Sequence, residues 1–296
     1  MNIAIIGAGL AGLTAAHTLR EAGRAVRVYE KSGGLGGRIA TRRSEGAAFD
    51  HGAPLLHGFE PPGAVRWRDG WVGRPGNSAI GRTLGAGLEI RSGARVVGLN
   101  RVAGRWRVRC AAGDTVGSGD AEGFDAVLLA IPAPQALALL GDRADAFAGL
   151  ADAKMRPGWT VMATFDAPVR GPDWRPALAA PLGLALRNSA KPDRPAGEAW
   201  VIHADDVFAQ IELESAAGCV AARLIAAFRD ATGAAAPSHV TAHRWRFARV
   251  ARPLGAPCLW DEGAGLGLAG DWCLGPDAGD AVASGRAVSR AVLAGT

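Results

Sequence analysis

The sequence predicts an α/β protein: a parallel, dinucleotide-binding Rossmann-like sheet joined to a second, α+β domain with a mixed sheet. Two observations carry that expectation. A strand–helix–strand pattern fills residues 2–30 around a Gly-x-Gly-x-x-Gly turn, and a strand, a Gly-Asp pair and a helix close the chain at residues 265–293. Short alternating strands between them supply the rest.

At the amino end, residues 2–6 are a short apolar run of strand type, followed by Gly7-Ala8-Gly9-Leu10-Ala11-Gly12 and a helix-forming stretch. Residues 25–30 read as a second strand that ends on Glu30. Gly7 permits the tight turn, Gly9 lets the backbone approach a pyrophosphate, and Gly12 lets helix and strand pack closely. The amides at the helix start, near Leu10 and Ala11, present a positive dipole end to phosphate, and Glu30 can accept from a ribose diol.

Directly after Glu30 comes Lys31-Ser32-Gly33-Gly34-Leu35-Gly36-Gly37-Arg38, where an NAD-binding unit would turn into its next helix. Flexible backbone at Gly37 and a guanidinium at Arg38 suit a clamp on phosphate. This element resembles the Gly-Gly-Arg segment of flavoproteins in the amine oxidase superfamily. The carboxyl end is similar to the same superfamily: Gly270-Asp271 follows a strand, and a helix is expected from Asp280 to Leu293. In that likeness Asp271 holds a ribityl hydroxyl or a phosphate, and the amides near Asp280 and Ala281 face the electron-rich pyrimidine edge of a flavin. Strands are expected at 94–99, 105–110 and 125–130, separated by turns such as Ala112-Gly113-Asp114; the likeness to such flavoproteins implies that Val96 meets the adenine through backbone groups.

The whole chain resembles bacterial renalase-type FAD-dependent oxidoreductases. The residues that carry the likeness are the amino-terminal motif through Arg38, Phe49-Asp50-His51-Gly52-Ala53, Trp71-Val72-Gly73-Arg74-Pro75-Gly76, the run 124–135, Arg187-Asn188-Ser189-Ala190-Lys191-Pro192, Trp200-Val201-Ile202-His203-Ala204, His243-Arg244-Trp245-Arg246-Phe247-Ala248 and Gly270-Asp271-Trp272-Cys273. The resemblance implies non-covalent FAD in a fold of glutathione-reductase and p-hydroxybenzoate-hydroxylase type. It implies oxidation of 2- and 6-dihydro isomers of NAD(P) by hydride transfer to flavin N5, with O2 as acceptor and hydrogen peroxide as product. Gly52 and Ala53 belong beside the flavin in that likeness, and His51 with them.

Two departures bear on the substrate. The chain is shorter than such relatives by about thirty residues, missing after Ala53, and Phe208 stands where a tryptophan is usual. Two alternatives therefore stay open: an amine oxidase or desaturase type of flavoenzyme acting on another small substrate, and a low-turnover FAD-binding protein.

Candidate substrate-facing residues are Trp245, His243 and His203. Trp245 either walls the pocket or packs in the core; His243 and His203 either orient a polar group or are structural histidines. Arg187, Asn188 and Lys191 are placed to meet a dinucleotide substrate, the alternative for Lys191 being a solvated turn. Cys273, beside Asp271, is expected to be a small buried residue rather than a covalent flavin link.

The discontinuous FAD-binding domain is expected at 1–58, 88–135 and 250–296, and the substrate domain at 59–87 and 136–249. A helix is expected over 213–228. The net charge of +5 comes from 33 basic residues of which only three are lysine, scattered without a basic run, so nucleic acid is not an expected partner. No cysteine or histidine spacing suggests a metal. No membrane span and no signal peptide are read, which predicts a cytoplasmic protein, monomer or homodimer. Its partners are a small-molecule substrate, such as a reduced nicotinamide dinucleotide, and oxygen.

Overall fold

A computed structural model describes residues 1–112 and 123–295; the Gly113-Asp114 part of the expected turn lies outside the described residues. A six-stranded sheet runs in the order Leu259–Asp261, Leu266–Leu268, Ala126–Leu129, Asn2–Ile6, Ala25–Glu30, Glu89–Ser92. Its strands are parallel except Leu259–Asp261, which pairs antiparallel at the edge. Such a sheet is covered on both faces, which is why its central strands read as unbroken apolar runs. Ile3, Ile5, Val28 and Leu128 pack on the helices Leu10–Glu21 and Ala278–Ala294 through Leu13, Leu19, Val288 and Val292. Ala4, Ile6, Tyr29, Val127 and Leu129 pack on Trp106 and Phe124 and on Leu140, Phe147 and Leu150.

That second core corrects the expected partition. Residues 136–153, assigned by sequence to the substrate domain, include Ala136, Leu140, Phe147, Leu150 and Ala153 of the nucleotide sheet's own core. The 59–87 segment likewise leans on the first helix: Ile80, from the helix Ser78–Gly85, buries against Leu10, Ala11, Leu56 and Val282.

The second sheet is antiparallel, in the order Trp174–Arg175, Leu182–Arg187, Glu198–Ala204, Lys154–Phe165, His239–Arg252. Pro157, which lacks a backbone donor, sits where the ladder with His239–Arg252 slips register between Arg156 and Gly158. One face (Trp159, Val161, Ala163, Trp200, Ile202) packs on the helices Asp206–Ile211 and Ala217–Thr232. The latter starts four residues later than expected, because Leu213 lies in the turn after Asp206–Ile211 and Ala216 is the cap; it ends at Gly233 in the left-handed region.

The opposite face is divided. Met162, Leu186, Ala199 and Val201 are covered by Phe49 of the strand Ala47–Asp50, hairpin partner of Thr41–Ser44. Beyond Asp50 the chain turns away, and the rest of that face opens on a cavity. Among the described residues no helix is long and apolar enough to cross a membrane.

Candidate functional site

A single cavity of about 2220 Å³ joins the glycine turns of the first sheet to the open face of the second. The nucleotide end is built from backbone. Gly7 has φ +104, and a Cβ there would sit 2.5 Å from the Ala130 carbonyl. Gly12 is absent from the cavity wall; a side chain there would collide with the Gly7 carbonyl, so it serves the helix–strand contact. Gly9 is the opposite case. A Cβ on it meets no protein atom within 4 Å, so this backbone faces the cavity, beside Leu10 and Ala11 at the helix start.

Glu30, 7% exposed, accepts from the Ala8 amide at 2.9 Å and from the Ser32 amide and hydroxyl at 2.8 and 2.7 Å. It braces the first glycine turn from behind while lining the cavity. The second glycine cluster folds onto the first, with the Gly36 amide donating to the Ala8 carbonyl at 2.8 Å. Lys31, Gly37 and Val96, the last at the start of the strand Val96–Val102, also line the wall.

Arg38 and Asp271, each read separately as a ligand for cofactor groups, meet one another: the two terminal nitrogens donate to the two carboxylate oxygens at 2.7 Å. The pair joins the second glycine cluster to the Gly-Asp turn near the carboxyl end and lines the cavity with Gly270. Gly52 packs against the Arg38 carbonyl, which also accepts from the Ala53 amide at 2.9 Å. The final helix opens at Ala278 rather than Asp280. Asp277 is its cap, and the Asp280 carboxylate reaches back to the Asp277 amide at 2.9 Å. Asp277, Ala278 and Ala281 therefore reach the wall and Asp280 does not.

The substrate-facing wall follows from register. His203 and His243 both pair with Thr160, one on each side, and Leu184 pairs with His203, so four side chains form a row across the sheet. One rung away Trp245 pairs with Gly158. All of these line the cavity. The Trp245 indole donates to the His51 carbonyl at 3.0 Å, and the His51 ring stacks on it at 5.3 Å and 28°. His243 stands edge-on to both, 4.9 Å from His51 and 4.4 Å from Trp245.

These imidazoles are neutral near pH 7. Burial, with the neighbouring His243 and the Arg42 charge, lowers His51 to about 4. Burial, with the Lys191 and Arg249 charges, lowers His203 to about 3, and His243 is lowered by burial and Arg42. Thr160 bonds His203 Nδ1 at 3.1 Å and is its partner in the wall. Sequence reasoning missed Thr160 and Leu184, which carry no local signal and are found only through strand pairing.

Arg187, Asn188 and Lys191 are absent from the wall, against the sequence expectation. Arg187 pairs with Asp173 and Glu198, and Asn188 donates to the Ala48 carbonyl. Lys191 is neither a substrate contact nor a solvated turn residue: it is fully buried against Asp50. Phe208 is also distant, packed in the helical core below the sheet. Cys273 is buried off the cavity wall, its thiol pushed up to about 12, which leaves it a poor nucleophile.

Residues 5–67 match the family model for an NAD(P)-binding Rossmann-like domain, and residues 65–210 match that for flavin containing amine oxidoreductase. The chain is similar to acetone monooxygenase (methyl acetate-forming) of Gordonia sp. (strain TY-5), 34% identical over 129 residues, 39% of this chain and 24% of that protein. It is also similar to 4,4'-diapophytoene desaturase of Staphylococcus aureus, 39% identical over 56 residues, 19% of this chain and 11% of that one. It thus matches only a quarter or less of these relatives' length. A solved structure from Exiguobacterium sp. 255-15, described provisionally as a protoporphyrinogen oxidase, superposes with TM-score 0.73 over 98% of both chains at 14% identity, a likeness of fold. Taken together, these likenesses are to flavin-dependent oxidoreductases of the amine oxidase superfamily, over residues 65–210 for that model and 5–67 for the nucleotide unit.

FAD is the cofactor of that superfamily, and the residues fit it. The open Gly9 backbone and the helix start suit a pyrophosphate, Glu30 a ribose, and the amides at Ala278 an electron-rich ring edge.

Proposed function

We propose that the protein is a renalase-like FAD-dependent oxidase of isomeric dihydro-NAD(P), returning NAD(P)+ and passing the electrons to O2 to give hydrogen peroxide. The observation that carries this reading is the stacked, neutral wall of Trp245, His51 and His243 facing the nucleotide end of the cavity. Bound FAD supplies a two-electron acceptor at its N5.

The substrate ring loses a hydride, carbon–hydrogen bond and electron pair together, and becomes aromatic. No side chain has to remove a proton from it. What the chain must do is orient a flat ring and keep water away. Trp245 is suited to that: it is locked by its bond to the His51 carbonyl, and its face favours the cationic pyridinium that forms. His203, Thr160 and His243 offer hydrogen-bonding groups along the row beside it, and those groups bring no charge of their own.

Amine oxidation is the second reading, favoured by the match to the flavin containing amine oxidoreductase model. In that reading the amine would arrive as its free base, because histidines lowered to about 4 and about 3 are weak acceptors for an alkylammonium proton.

Anaerobic titration of FAD-loaded protein, followed by flavin absorption, separates these readings. Rapid bleaching by 2- or 6-dihydro-NAD(P), reversed by air with peroxide release, is expected. Bleaching by ordinary NAD(P)H or by a simple amine instead would replace the proposal. Flavin that no donor reduces would leave a binding role.

A further inference from the structure

Three segments singled out by sequence (49–53, 71–76 and 187–192) are not explained by nucleotide chemistry, and in the structure they converge on one buried cluster. At its centre is the Asp50 carboxylate, with no exposed surface. One oxygen accepts from the Thr41 hydroxyl at 2.7 Å and the Asn77 amide at 2.9 Å. The other accepts from Lys191 at 3.0 Å and Arg194 at 2.6 Å. Arg194 donates further to the Gly73 carbonyl, and the Gly73 amide donates to the Asn77 side chain. Asn77 also donates to the Ala53 carbonyl at 3.0 Å.

Buried charge is costly unless its partners are complete, and such clusters contribute more to a fixed geometry than to net stability. What this one fixes is the turn 51–53. Its near end is Asp50 and its far end is Ala53, held by Asn77 on one side and by the Arg38 carbonyl on the other. Between those anchors stand His51, stacked on Trp245, and Gly52, packed on Arg38.

We infer that Asp50 is the positioning residue of the cavity wall: gripped by Thr41, Asn77, Lys191 and Arg194, it holds the 51–53 turn so that His51 lies flat on Trp245. The inference goes beyond the proposed function and holds for whichever substrate the cavity takes.

The test uses FAD-loaded, full-length protein and reads the His51 midpoint by imidazole nitrogen resonance. The charged and titratable groups that act on His51 are Asp50, Arg42, His243 and His203. Asp50 raises the midpoint, so removing its charge with the ring in place must lower it further. Loss of position does the reverse, because a ring released from the stack returns towards an ordinary histidine. The double variant Asp50→Asn, Lys191→Met keeps the net buried charge of the cluster unchanged. It is expected to raise the His51 midpoint by about one pH unit or more. Lys191→Met alone leaves Asp50 three donors and is expected to keep the parent midpoint. If that double variant does not fold, Thr41→Val with Lys191→Met takes one donor from each Asp50 oxygen and is expected to move the midpoint in the same direction, with Lys191→Met alone as its charge-matched control. A folded Asp50→Asn, Lys191→Met protein, or the Thr41→Val, Lys191→Met protein in its place, with an unchanged or lower midpoint would reduce the cluster to a structural role. An equal rise in Lys191→Met would overturn the assignment to Asp50.

Discussion

His51 and His203 are bases whose folded pKa values, about 4 and about 3, lie well below the 6.5 of an exposed histidine. Between those limits the unfolded chain binds protons that the folded one refuses, so stability rises with pH through that window. The contribution is complete above about pH 6.5 and is lost as pH falls. Each histidine costs about 1.4 kcal/mol per pH unit of descent within its window. Asp50, held far below the usual carboxylate range by Lys191 and Arg194 despite its burial, continues the loss at still lower pH. The expected outcome is a denaturation midpoint that drops steeply from pH 6.5 to pH 4, and drops less in His203→Gln. A parent profile that is flat over this range would show that the rings are solvated. The same residues illustrate what a sequence withholds. His51 was placed beside the cofactor by its neighbours Gly52 and Ala53, but Lys191 reads as a turn residue until its partner, 141 positions away, is known.

Helix starts and edge strands were the least legible elements, for opposite reasons. The final helix has a capping box, Asp277 with Asp280, whose second carboxylate is also a plausible first helical residue, hence the two-residue error. The strand Glu89–Ser92 went unread because it is an exposed edge, its charged residues lacking any apolar alternation. The capping box and the helix approach can be separated by mutation. Asp277→Ala removes one cap and is expected to cost about 1 kcal/mol of stability while FAD stays bound. Gly279→Ala acts elsewhere: its Cβ would fall 2.5 Å from the Gly58 carbonyl, where the Gly279 amide already donates to His57. Pushing the helix start off the 57–58 segment is expected to lower flavin content after gel filtration, with a smaller change in melting temperature. Full flavin retention in Gly279→Ala would mean that this helix start does not form part of the cofactor site.

At the scale of the molecule, the amino-terminal turn and the Gly-Asp end announced the nucleotide sheet because local backbone chemistry demands those residues. The cavity was less legible, since it arises where Ala47–Asp50 stops covering the second sheet, a matter of tertiary register. Phe49 is the joint, wholly buried against Met162, Leu186 and Val201. Phe228 is equally buried, but on the far side of that sheet, against Trp200 and Phe165. Truncating either to alanine should cost about 3–5 kcal/mol. Their effects on the site should differ. Phe49→Ala loosens the strand that delivers residues 51–53, so FAD affinity is expected to fall about tenfold or more, a change of about 1.4 kcal/mol. Phe228→Ala leaves that strand untouched, and its FAD affinity is expected to stay near the parent value. Denaturant unfolding and FAD titration on both variants make the comparison at matched stability loss. Equal losses of affinity would mean that the cofactor site responds to global stability alone, and that the Phe49 joint has no particular hold on it.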